Sequence, residues 1–257
     1  MKYIKPLLGA VALISIAACE TSLQTTSGAD YLARYDARHE IAIGASTDVD
    51  EDVRRIAAIE PNLIFPARIG LARIENGSLT ALPADEARIW QDLIEEIGSD
   101  YGEFVPVSPL ISAMVSEPSA PGMDRAASVM ANIRRGAARQ HLDYVVTYEV
   151  GSSHRQKSNG LALADLTIIG LFVLPSRTVE VEATASALML DVRTGYPYAT
   201  LTTHAAKSGV SRAVSEWSTS LDYADTAEER AVAKLAQEFG KAMGPLAVRA
   251  MPRAKTG

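Results

Sequence analysis

The residues with chemistry to offer are few and far apart. His39, His141, His154 and His204 are the four histidines of 257 residues, and no two take the spacing of a helical zinc site. Asp48, Asp50 and Asp52 alternate as calcium ligands do. However, no glycine occupies the sharp-turn position and the closing acid is misplaced. A helix N-terminus that attracts negative charge explains these acids more simply. No GxSxG, P-loop or strand-borne GxGxxG occurs. Ser152, Ser153 and His154 are adjacent in GSSHRQKSNG, which does not make a catalytic dyad. The expectation is a chain without a cofactor, a metal or a catalytic constellation.

The remaining reactive group is the thiol of Cys19, the single cysteine. Before it stand MKYIKP, with Lys2 and Lys5, and then the uncharged run LLGAVALISIAA. That is the pattern of a secretory signal peptide. The run falls short of the roughly 20 apolar residues that span a bilayer. Ile16-Ala17-Ala18-Cys19 resembles the bacterial lipobox. The resemblance implies cleavage before Cys19 and a thioether from its sulfur to diacylglycerol, with two or three acyl chains giving a stable anchor. Glu20 stands where inner-membrane retention favours aspartate, so the expected address is the periplasmic face of the outer membrane. With Cys19 acylated, the mature chain has no thiol left for a disulfide.

The chain is acidic, with a net charge of −6, and loss of residues 1–18 takes two lysines more. That balance argues against a nucleic-acid partner, which rewards basic patches.

The pattern of residues supplies the organisation. Residues 1–18 are the signal peptide. Residues 19–38 contain the polar stretch ETSLQTTSGAD and read as a lipidated tether. Residues 39–250 form a single domain, and 251–257 a flexible tail. IAIGAS (41–46) reads as a short strand. A capping box at Thr47 and Asp50 opens a helix with Val53, Ile56, Ala57 and Ile59 as its apolar stripe. FPARIGLARI (65–74) alternates as a strand, and NGS (76–78) turns the chain. PADEARIWQDLIEEIG is a helix whose inner face carries Ile89, Trp90, Leu93, Ile94 and Ile97. EFVPVSPLI (103–111) is a strand. Residues 121–142 are a helix with Ala127, Met130, Ile133 and Ala137 inward, and 143–152 are a strand. This βαβαβ order predicts an α/β (α+β) fold with a mixed sheet and packed helices.

A three-stranded antiparallel meander is expected next. Its strands are 161–173, 177–192 and 197–208, with turns at Pro175-Ser176 and Arg193-Thr194-Gly195. In the middle strand, Val179, Val181, Ala183, Ala185, Ala187 and Met189 share one face. Glu180, Glu182, Thr184 and Ser186 share the other. A final helix opens with a capping box at Thr226 and Glu229 and buries Val232, Leu235, Ala236, Phe239 and Met243.

An α/β half, a long meander and a closing helix are similar to a group of periplasmic lipoprotein domains. The group includes the TolB amino-terminal domain, the curli secretion channel lipoprotein and the lipoprotein activators of penicillin-binding proteins. Within it, TIIGLFVLPSRTVEVEATASALMLDVRTG (167–195) most resembles the rhombotarget lipoproteins. The resemblance is to the body of that family, without its Gly/Pro sorting motif, transmembrane helix and basic residues. It implies an envelope lipoprotein and brings no catalytic residue.

The expected role is partner binding or complex assembly in the periplasm, with a membrane contact through the anchor on Cys19. The surface expected to meet an envelope protein is the polar loop 151–160, at His154, Arg155, Gln156 and Lys157. Two other roles compete. One is a hydrolase whose site is scattered along the chain. The other is a subunit of an oligomeric secretion pore, with the 161–192 hairpin in the bilayer. The acids Glu180 and Glu182 favour a sheet in water over a lipid-facing hairpin.

Overall fold

The computed structural model describes residues 19–39, 48–118, 125–158, 177–211 and 216–252. They form a mixed α/β fold around a seven-stranded sheet, with a long C-terminal helix. The hub is β3 (Ala67–Glu75), which takes the strand β6 (Tyr144–Ser158) in parallel along one side. Its other side is shared by β5 (Gly102–Pro106), parallel, and β4 (Ser78–Thr80), antiparallel. The Asn76-Gly77 turn between β3 and β4 has positive φ at both residues, the conformation that a tight hairpin demands. From β6 the sheet continues antiparallel through β7 (Arg177–Asp191) and β8 (Pro197–Ser211). The short strand β1 (Glu20–Leu23) closes the edge of β8.

Period-two alternation decides which helix lies on which face. Ile69 and Leu71 of β3, Val146 and Tyr148 of β6, and Val181 to Met189 of β7 point to one side. There they meet Trp90 and Leu93 of α3 (Ala84–Ile97) and the stripe Val232, Leu235, Phe239 and Met243 of α6 (Glu216–Arg249). Alanines dominate this contact: Ala183, Ala185 and Ala187 face Ala227 and Ala231, so the helix packs close to the strands. On the opposite face a smaller cluster joins Ile133 and Ala137 of α5 (Arg125–Arg139) to Ala72, Val145, Leu190 and Val192.

Several expectations need correction. The first strand of the meander is 144–158, not 161–173. Both edges of β7 are occupied along its length, by β6 and by β8. The stretch 161–173, the Pro175-Ser176 turn, IAIGAS (41–46) and Thr47 lie outside the described residues. The strand from Glu103 stops at Pro106, because Ser108 caps the helix α4 (Pro109–Val115) with Pro109 at its first turn. The capping box at Thr226 starts nothing, since α6 already runs from Glu216. The Thr226 hydroxyl instead donates to the Asp222 carbonyl one turn earlier. Ala127 is exposed on α5.

The polar segment after Cys19 is ordered by distant partners. It forms β1 and then α1 (Gly28–His39), whose start is held by Glu60. The Glu60 carboxylate accepts the Ala29 amide at 2.8 Å and the Ser27 hydroxyl at 3.2 Å. The amide of Ala29, with smaller help from Ser27 and Gly28, pulls the Glu60 carboxyl below its ordinary range. Of the tail, Met251 and Pro252 pair as β9 with Ile64 and Phe65 of β2 (Ile64–Phe65).

Candidate functional site

The sequence-selected groups do not converge. Cys19 is exposed, one residue before β1, and within electrostatic reach of Lys241 on α6. His141 follows α5 with a φ of 57° and is exposed. His204, on the open side of β8, shares a 2.9 Å hydrogen bond with the Thr184 hydroxyl. Ser152 donates to Glu228 of α6 at 2.6 Å, which ties β6 to the helix. Asp48 to Asp52 lie on α2 (Asp48–Ala57), where Asp52 pairs with Arg55 at 3.1 Å. Among the described residues no three His, Cys, Asp or Glu side chains gather to hold a metal ion.

The segment His154 to Lys157 is not a loop. It is the far half of β6, with His154 opposite Val181 and Arg155 opposite Glu180 in register. A polar run reads as loop by composition. Here the strand β7 beside it, at a sequence distance no local pattern reveals, makes it sheet.

Two polar clusters are built into the core, and both are spent on the fold. Arg73, Glu86 and Tyr148 meet beneath α3. The Arg73 Nε lies 2.9 Å from each Glu86 carboxylate oxygen, and the Tyr148 hydroxyl donates to Glu86 Oε2 at 2.7 Å. Burial works against the Arg73 charge, but the hydrogen bond and charge of Glu86 outweigh it and hold the guanidinium above its ordinary range. Burial, reinforced by Glu86, raises Tyr148.

The second cluster lies where β6 and β7 meet the chain before β3. The Tyr144 hydroxyl accepts from the Ile64 amide at 2.8 Å and donates to the Asn62 carbonyl at 3.1 Å. The Tyr198 hydroxyl accepts the Asn62 amide at 3.0 Å. Asp143 accepts the Arg68 amide at 2.9 Å and faces Arg193 at 3.2 Å, while Asp191 caps the Arg193 and Thr194 amides. The small cavity here, about 120 Å³, is bordered by groups already engaged with one another.

A different feature stands open. On the α5 side, the helix covers β3 and β6, but Glu182, Thr184, His204 and Ala206 of β7 and β8 are exposed. Where helix and bare sheet meet runs a groove of about 610 Å³. Val129 and Met130 of α5 line it together with Leu188 and Thr200 of the strands, and Arg125 and Glu149 supply its charges. Val129, Met130 and Leu188 are half-buried members of the smaller core cluster, so the groove is that core left unfinished on one side. Sequence reading placed Met130 in the core and missed the groove. The available signal was the outer face of β7, polar at Glu182, Thr184 and Ser186 and apolar from Leu188, which calls for cover at one end only.

No family model matches this sequence, and no curated protein does. Distant similarities to solved structures were found. A minor lipoprotein from Acinetobacter baumannii matches at 10% identity, covering 75% of this chain and 98% of its own, with a TM-score of 0.33. A hypothetical protein from Chlamydia trachomatis matches at 12%, covering 70% and 99%, with a TM-score of 0.33. The PelC dodecamer from Paraburkholderia phytofirmans matches at 11%, covering 92% and 99%, with a TM-score of 0.31. These are likenesses to several bacterial proteins and single out no family.

Proposed function

We propose that this chain is a lipid-anchored protein of the bacterial envelope that works by holding a protein partner and catalyses no reaction. The observation that carries the reading is the open groove between α5 and the bare sheet, about 610 Å³ and lined by Val129, Met130 and Leu188. Apolar surface left in water gains about 25 cal/mol per Å² when a partner covers it. The interior acids and tyrosines support the same reading, since their oxygens are already bonded within the fold. A general acid or base needs a free path to its substrate.

The anchor is Cys19, which follows a signal-like run and stands exposed at the edge of the sheet. Glu20 at the next position points to the outer membrane. Confinement to a membrane raises the local concentration of a tethered domain, so a modest interface is occupied. The strand segment His154 to Lys157 is a second contact in this reading, at the end of β6 away from the α5 contacts.

Capture from native envelopes tests the proposal. Wild-type chain should retain a specific protein, and Val129→Lys with Met130→Lys should lower its recovery at least ten-fold without altering the circular dichroism spectrum. Turnover of a substrate by the purified chain, abolished by His204→Ala, would establish the hydrolase reading in its place.

A further inference from the structure

Besides the groove, uncovered apolar side chains stand on α4, with Leu110 and Met114 at 80% and 79% exposure, and on α2, with a longer stripe. On α2, Val49, Val53 and Ile56 are 68%, 37% and 59% exposed. Their spacing puts them on one helix face, and Val53 and Ile56 belong to the apolar stripe read from the sequence, Val53, Ile56, Ala57 and Ile59. Ile59 packs against the core as that stripe implies, whereas Val53 and Ile56 are uncovered. A helix of ten residues is marginal by itself in water and ordinarily owes its stability to the face it buries.

We infer that the α2 stripe of one copy docks in the groove beside α5 of a second copy, so that the protein assembles head to tail. The inference rests on the reading that the groove is a binding surface and names its occupant. Three observations support it. The first is shape: α2 is about 15 Å long at 1.5 Å per residue, shorter than α5, and fits beside it. The second is layering. The groove lies where a second helix would continue the α5 layer over the bare strands, and a sheet face is ordinarily completed by helices packed side by side. The third is charge. The sequence of α5, RAASVMANIRRGAAR, has arginines at 125, 134, 135 and 139 and no acid. In α2, DVDEDVRRIA, four acids occupy the first five positions. Of these arginines Arg125 lines the groove, where it faces the acids at the start of α2, ahead of Arg54 and Arg55. Arg134 is held by the Val192 and Arg193 carbonyls and Arg135 by Glu117.

The two surfaces differ, so the contact is heterologous. Every copy keeps one free α2 and one free groove until a ring closes or a filament grows.

Site-specific crosslinking tests this in the full chain carrying Cys19→Ser, so that the introduced thiols are the only ones. Val53→Cys and Met130→Cys in one chain should give an oxidised ladder of dimers, trimers and larger species, at least ten-fold above either single variant. An equimolar mixture of the two single variants should stop at dimers. The pair Ile56→Cys and Val129→Cys repeats the measurement at neighbouring positions of the same two surfaces. Self-crosslinking of Val53→Cys alone would mean a symmetric α2 contact and overturns the inference. A clean gel from both pairs also overturns it. If the gel is clean but Met130→Lys still loses an envelope protein, the groove serves another partner and the binding proposal survives. If Met130→Lys loses nothing either, both fall together.

Discussion

Arg73 and Glu86 form a forked contact inside the core, with one guanidinium nitrogen 2.9 Å from both carboxylate oxygens. Both residues are buried, and Tyr148 donates to the same carboxylate. The contact fixes α3 on the sheet at a single position, because sliding the helix would strand two charges without water. Breaking such a pair from one side leaves an uncompensated buried charge, at about 3–5 kcal/mol. Glu86→Ala should therefore lower the urea midpoint steeply. A triple change, Arg73→Met with Glu86→Leu and Tyr148→Phe, should recover most of the loss, because the desolvation cost disappears with the charges. Equal losses in the single and triple variants would show that packing, not charge, holds α3.

The buried tyrosines give the fold an alkaline limit. Burial raises Tyr148, Tyr198 and Tyr144, with nearby carboxylates adding to it. In the unfolded chain these phenols ionise near pH 10, about where free tyrosine does. Their contribution is complete below that pH. It is lost as pH rises from there toward the higher folded values, because the unfolded state releases protons that the fold retains. The urea midpoint should fall progressively above about pH 10. Tyr148→Phe and Tyr198→Phe should flatten that fall, and an unchanged slope in both would assign the alkaline limit to other groups.

What could be read in the sequence was whatever local period reports. The face of β7 from Val181 to Met189 is buried as its alternation implies, and Trp90 and Leu93 face inward on α3. The Arg193-Thr194-Gly195 turn has Gly195 at a φ of 77°. The failures are long-range. Glu20 to Leu23 is strand because β8 lies alongside, and Ser153 to Ser158 is strand because β7 does. Neither neighbour leaves a mark on the residues themselves. Val49, Val53 and Ile56 have the period of a core face and no core on them. The groove was hidden for a related reason: Met130 reads as core, and only the three-dimensional arrangement leaves it and Val129 half-covered.

Two glycines separate strain from crowding. A Cβ on Gly195 would meet a positive φ and the Arg134 side chain at 2.9 Å, and that flexible arginine can move aside. Gly195→Val should cost about 1–3 kcal/mol, the strain of a β-branched residue in that conformation. A Cβ on Gly136 would overlap the Ser112 hydroxyl and lie 2.7 Å from its Cβ and 2.9 Å from its Cα. No rotamer relieves a clash with backbone, so Gly136→Ala must push α4 off α5. We expect a loss of about 1–3 kcal/mol from overpacking, with hydrogen exchange accelerated in 109–115. Local protection unchanged at α4 would contradict this account of the contact.

The last prediction concerns Cys19 and the strand that follows it. Cys19 is exposed and takes no part in the core, so Cys19→Ala should leave the folded domain within about 0.5 kcal/mol of wild type. Its location should change completely. The variant should incorporate no labelled palmitate, should not pellet with membranes after a salt wash, and should keep the mass of residues 1–18. Glu20→Asp offers a separate reading of address, because it alters sorting without touching the anchor. Wild type should fractionate with the outer membrane and Glu20→Asp with the inner. Glu20 opens β1, opposite Thr202, where a shorter acid is tolerated on an exposed edge. In the proposed reading, with lipid on Cys19, the start of β1 at the next residue leaves almost no free chain between lipid and sheet. That reading puts the edge formed by β1 and β8 close to the bilayer and the surfaces of α5 and α2 at a fixed height above it. Inserting ten Gly and Ser residues after Cys19 should preserve palmitate labelling and outer-membrane fractionation while lowering capture of any partner held at that height. Full capture with the long linker would mean that anchoring supplies concentration alone and no orientation.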